Sequence, residues 1–175
     1  MTKKLFDPAI AGTAEQAVDF IGSILESSTE YSIIGKDLNG TILLWNEGAR
    51  RLYGYEPEEV IGKANSRILH TPEDVEAGTP QQMLEAATRN GHWEGTIARR
   101  RKDGHQFMAR VVVTPRRDGS GQSAGFLLMS KDVTSEVAFS DELRKAKLFD
   151  SAIVGNAQEA VDFITNILES START

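Results

Sequence analysis

A chain of 175 residues with 20 Lys+Arg against 25 Asp+Glu carries a net charge of −5, which argues against the basic face of a general nucleic-acid binder. With 39% hydrophobic and 26% charged residues, and no apolar run near the roughly 18 residues a membrane span needs, it reads as a soluble globular chain. It has no cysteine, so disulfides, thiolate metal sites, cysteine nucleophiles and cofactors attached through sulfur are excluded. The opening MTKKLFDPAI has two lysines but no long apolar core after them, so a secretory signal is not expected and a cytoplasmic location is.

A repeat divides the chain. Residues 4–29 recur at 147–172, an offset of 143, with 19 of 26 positions identical. The reading is a piece of a longer tandem protein. It divides into an N-terminal linker over 1–30, a domain over 31–134, and an exit linker with the start of a second repeat over 135–175. Within the first copy, Ala14, Val18, Ile21 and Leu25 are spaced by four, three and four, with Ala17 and Ile24 beside them. That is an amphipathic stripe of coiled-coil type. It serves either to pair two copies into a homodimer or to pack on the helix's own domain.

From 31 onward the pattern becomes β-rich. YSIIGKD and TILLWN predict two strands joined by a turn at Asp37–Gly40. Short helices follow over 46–54, with Asn46 as N-cap, and over 57–62, with Pro57 at the first helical position. Residues 64–78 read as irregular, and Pro80 opens a longer helix closed by Asn90-Gly91. Three strands are predicted over 92–102, 105–115 and 122–133, the first two joined at Asp103-Gly104. Thr134 and Ser135 then start an exit helix with a thin apolar stripe of Phe139, Leu143 and Ala146. The order implies an α+β fold, a five-stranded antiparallel sheet with helices on one face, flanked by amphipathic linker helices.

These residues resemble the PAS sensor family. The matching features are the turn from Asp37 to Gly40, Trp45-Asn46, LYGYEPEEVIGK over 52–63, Gly91, Trp93 and Gly95 ahead of RRRKDG (99–104), and Asp132 to Thr134 at the end of the last strand. The resemblance implies a sheet half-wrapped around a pocket, with entry and exit helices that pass signals along the chain. Asp132 and Thr134 are the coupling candidates, Asp132 anchoring the strand end and Thr134 capping the exit helix.

No catalytic pattern is present. The three histidines, His70, His92 and His105, lack partners at triad or dyad spacing, and no metalloprotease helix, P-loop or dinucleotide loop occurs. The chain is therefore read as a sensor and not an enzyme, in a two-component or similar signalling protein whose downstream effector domain lies elsewhere. By alternation the pocket is expected to include Ile33, Leu44, Ile68, Met83, Leu84, Phe126 and Leu128, with Asn46 beside them. His70, in SRILHTPED, is either a loop histidine or an axial haem ligand. Trp93 is either packing or a wall for a flavin such as FAD, held without a cysteinyl bond. A filled pocket, making the domain a dimerisation and relay spacer, is the further alternative. The run Arg99–Lys102 is read as a solvated edge. No metal site, nucleic-acid partner or membrane span is expected.

Overall fold

The computed structural model describes residues 12–149. All but the first three positions of the second repeat copy lie outside the described residues. The chain forms two units, which divide after Val133.

The first unit opens with α1 (Ala14–Ser27), whose start is capped by Thr13 Oγ1 accepting from Gln16 N. The strands β1 (Ser32–Lys36) and β2 (Ile42–Trp45) follow. The turn between them is set by Asp37, whose Oδ1 accepts from Thr41 N at 2.8 Å. Then come α2 (Glu47–Tyr53) and α3 (Pro57–Val60). The stretch expected to be irregular holds two short ordered pieces. One is a 3-10 turn (Ser66–Leu69) capped by Asn65, and the other is α4 (Pro72–Glu76) capped by Thr71. Both caps follow ordinary side-chain chemistry, but each element is too short for its apolar periodicity to register. Helix α5 (Thr79–Asn90) precedes β3 (Trp93–Arg100), β4 (Gln106–Arg117) and β5 (Ser123–Asp132).

The five strands form one antiparallel sheet in the order β2-β1-β5-β4-β3. The first two strands and the last three are thus brought together by the β1–β5 pairing. One face is buried: Ile34, Phe126, Leu128, Val111 and Val113 pack with Tyr53, Leu69 and Met83 from the helices and the 3-10 turn. This corrects the expected facing of two residues. In β1 the buried positions are Ser32, Ile34, Gly35 and Lys36, with Ile33 half-buried; in β2 they are Ile42 and Trp45, not Leu44. The reason is local. Both strands are apolar at consecutive positions, so composition does not choose the phase of β1, and the register shift opposite Gly35 and Lys36 leaves the buried Ile42 and Trp45 of β2 three apart.

The second unit contributes a helix over 134–149, labelled α6. Phe139, Leu143, Leu148 and Phe149 are exposed on it.

Candidate functional site

The buried face of the sheet meets the 3-10 turn, α4 and α5 around a cavity of about 190 Å³. Its walls are Lys36 of β1, the turn at Leu38–Gly40, Asn65, Ser66 and Arg67 around the 3-10 turn, and Val75, Gly78, Pro80, Gln81 and Leu84 from α4 to α5. Polar groups are prominent at its inner end. Lys36 is 5% exposed and its Nζ donates to Ser66 Oγ at 3.0 Å. It also lies 5.7 Å from the centre of the Phe126 ring. Burial, with Arg99 and Arg67 nearby, lowers its pKa to about 8.

Arg99 is the least expected of the buried polar residues, and it is not among those lining the cavity. It is 1% exposed, and its Nε and Nη1 have no hydrogen-bond partner. The sequence reading placed the whole run 99–102 at a solvated edge; for Arg99 the structure overturns this. Period two along β3 puts Arg99 on the face of Ile97, opposite Phe107 of β4. Counting inward from Trp93 finds it; reading the run as a block of charge hides it. Arg101, beyond the strand, lies 4.2 Å from the centre of the Phe107 ring, donates to Leu52 O, and pairs with Asp132 at 2.8 Å.

His70 follows the 3-10 turn, 6% exposed, with Nδ1 unpartnered. Burial and the charges of Arg99 and Lys36 lower its pKa to about 2, so the imidazole is neutral at ordinary pH. Lys36, Arg99 and His70 are thus all buried polar side chains of this domain. Among the described residues no carboxylate forms an ion pair with any of them.

The other predicted site residues separate by location. Phe126, Leu128 and Met83 are in the core. Trp93 lies across its own strand, where a Cβ on Gly95 would come within 2.7 Å of the indole. Asn46 is spent elsewhere. Its Oδ1 accepts from Ala49 N and Ile33 N, and its Nδ2 donates to Leu25 O, Ser28 O and Tyr31 O at 2.9–3.2 Å. It ties the end of α1 to α2 and β1. Gly48 makes that approach possible, since a Cβ there would sit 2.0 Å from Tyr31 O. The far end of α2 is clasped as well: Lys102 N donates to Tyr53 O at 2.8 Å, and Arg101 reaches Leu52 O. Inside, the Tyr53 hydroxyl lies 3.1 Å from Ser130 Oγ. Thr134 is the first residue of α6, directly after Val133, whose N–H donates to Met108 O.

A profile of the PAS domain matches residues 30–135. The chain belongs to the PAS domain family. Its relatives include a two-component system protein A of Emericella nidulans, 34% identical over 145 residues, which cover 82% of this chain and 20% of that protein. A blue-light-activated histidine kinase of Brucella anthropi is 32% identical over 110 residues, covering 61% of this chain and 21% of the kinase. The chain thus spans about a fifth of the length of these curated relatives. Among solved structures, a PAS domain from Colwellia psychrerythraea superposes with a TM-score of 0.62 at 29% identity, over 68% of this chain and 98% of that one. An RNA-binding Light-Oxygen-Voltage receptor shares the fold at 23% identity with a TM-score of 0.64, over 86% of this chain and 40% of the receptor. Among the described residues no helix is long and apolar enough to cross a membrane, and no cluster of metal-ligating side chains occurs.

Proposed function

We propose that this PAS domain is the sensory input of a larger cytoplasmic signalling protein, in which cavity occupancy is relayed to helices that pair two copies of the chain. The observation that carries the reading is the position of α2. Its N-terminal cap, Asn46, holds the end of α1, its last turn is gripped by Arg101, which also holds Asp132 at the end of β5, and Tyr53 between them faces the core beside Ser130. A ligand that shifts Tyr53 would move α2 against both attachments, which suits Asp132 and Thr134 to signal coupling at the exit. The pairing surface is the stripe of α1, where Val18 is 68% and Ile21 46% exposed, with Ala14 and Leu25 completing it. A monomer leaves that stripe in water, whereas a parallel or antiparallel helix pair buries it.

The test is the double variant Val18→Asp, Ile21→Asp. Light scattering should report a dimer for the parent chain and a monomer for the variant. Parent and variant of equal mass would count against pairing. A downstream effector domain and a two-component setting are part of the same proposal.

A second reading is a non-covalent flavin, favoured by likeness to a flavin-analogue structure of a Light-Oxygen-Voltage domain and to Phototropin-2 of Oryza sativa. The arrangement here suits something smaller. The cavity is below the roughly 300–1,000 Å³ of pockets for drug-sized ligands, and Trp93 lies over Gly95. A haem on His70 would need open space at a side chain that is only 6% exposed and does not line the cavity. An absorption spectrum of the purified protein discriminates: paired blue bands for flavin, a Soret band for haem, and neither for a colourless ligand or a filled spacer.

A further inference from the structure

Two charged side chains line the cavity, and they differ in burial: Lys36 is 5% exposed, whereas Arg67 is open to solvent. A buried ammonium is normally matched by a carboxylate, because the solvation it loses must be replaced by an opposite charge and hydrogen bonds. Among the described residues Lys36 makes no ion pair. Its one hydrogen-bond acceptor is Ser66 Oγ at 3.0 Å, a neutral hydroxyl whose residue lines the same cavity. The neighbouring Asp37 spends its carboxylate on its own turn, where Oδ1 accepts from Thr41 N. These surroundings favour the neutral amine over the ammonium. A desolvated, neutral lysine is a nucleophile, and its characteristic reaction is imine formation with a carbonyl compound. The guanidinium of Arg67 likewise forms no ion pair among the described residues, so the wall that carries the amine also carries an unmatched cation.

We propose that Lys36 Nζ forms a reversible imine with a short α-keto acid in this cavity, the ligand's carboxylate being held by Arg67. The proposal rests on the reading of the domain as a ligand sensor and names the chemical class of that ligand. In the covalent step Nζ attacks the carbonyl carbon and a C=N bond replaces C=O. The carbonyl oxygen leaves as water, carrying the two protons of the neutral amine, and no oxidant or reductant takes part. Ser66 Oγ, 3.0 Å from Nζ, can relay a proton during the exchange. A guanidinium fork matches the two oxygens of a carboxylate. The cavity of about 190 Å³ suits a compact molecule, and Val75, Pro80 and Leu84 offer apolar contact to a short aliphatic remainder. Imine formation would replace the Lys36–Ser66 hydrogen bond, which links β1 to the 3-10 turn, so that occupancy is felt by the sheet.

The test is reductive trapping on the full chain. Pyruvate, or acetone as the ketone that lacks a carboxylate, is added near neutral pH with cyanoborohydride, and the labelled lysines are located by peptide mass spectrometry. The exposed Lys63, Lys102 and Lys145 serve as references within the same sample. The expected result is saturable labelling of Lys36 by pyruvate, about tenfold or more above those three. Acetone should show a much smaller preference for Lys36. In Arg67→Met, a change at an exposed position, the pyruvate preference should fall about tenfold. Labelling of Lys36 by pyruvate no greater than that of the references overturns the proposal, and that comparison needs no variant to fold. A preference that is equal for pyruvate and acetone, or that Arg67→Met retains in full, overturns the α-keto acid as the ligand class. The two readings fail separately. An unlabelled Lys36 in a chain that retains a different molecule in native mass spectra would remove the imine and keep the sensor; a labelled Lys36 with hydrogen–deuterium exchange unchanged at the end of α1 would keep the imine and remove the relay.

Discussion

The α1 junction of α2 and the core under the sheet both hold buried polar groups, and the two are built on opposite plans. At the α1 junction every polar atom of the Asn46 side chain is used: two backbone N–H groups donate to Oδ1, and three carbonyls accept from Nδ2. In the core, Arg99, His70 and Ser32 keep donors or acceptors without partners. A satisfied network fixes one geometry. An unsatisfied one is costly in isolation and becomes favourable when a matching group arrives. The comparison gives the first region a fixed geometry that holds the entry helix and leaves the second with unmet polar groups.

The contrast breaks most sharply at Gly48. A valine there would drive its side chain into Tyr31 O, so Gly48→Val should cost about 3 kcal/mol or more in urea unfolding, or prevent folding. Asn46→Ala comes next. It removes an N-cap and leaves carbonyls near Leu25, Ser28 and Tyr31 without their donor, at a cost of about 2–3 kcal/mol, and amides at the end of α1 should exchange faster by hydrogen–deuterium exchange.

In the core the signs reverse. With its pKa lowered from 10.5 to about 8 by burial first and then by Arg99 and Arg67, Lys36 binds its proton less well in the folded chain. Between pH 8 and 10.5 the unfolded state holds more protons, so stability from this group rises with pH, and below pH 8 its cost is felt in full. In anion-free buffer Lys36→Met should therefore be the more stable chain at pH 7 by about 2 kcal/mol, and the gap should narrow toward pH 10.5. A gap that stays constant would mean that Lys36 is not penalised by its surroundings. Arg99→Met should raise stability in the same buffer by about 1 kcal/mol, since an unpaired buried charge is lost while the straight-chain packing is kept. Loss of stability instead would mark Arg99 as part of the satisfied framework.

How much of this was legible beforehand follows from the same physics. The element order, both hairpin turns and the Asn46 cap could be read because short-range chemistry decides them: Asp37 closes its own turn, and Asn46 accepts from Ala49 three residues on. The core residues Met83, Phe126 and Leu128 followed from periodicity. The reach of Asn46 to Leu25, Ser28 and Tyr31 did not, because it depends on how α1 returns to α2. Lys36 and Arg99 stayed hidden for a related reason. Each is a charge at an inward position of a strand, and composition argues for the surface until the register is known. His70 was singled out only through the family resemblance, since nothing local in SRILHTPED points its side chain inward, and Ser66 was not singled out at all.

The most direct test of the account is hydrogen–deuterium exchange on the full chain and on Arg101→Ala, which frees the last turn of α2 from Asp132. The account predicts faster exchange in two places at once, at the ends of α2 and β5 and at the end of α1 near Leu25–Tyr31. Faster exchange that stays near Asp132 and never reaches α1 would contradict it.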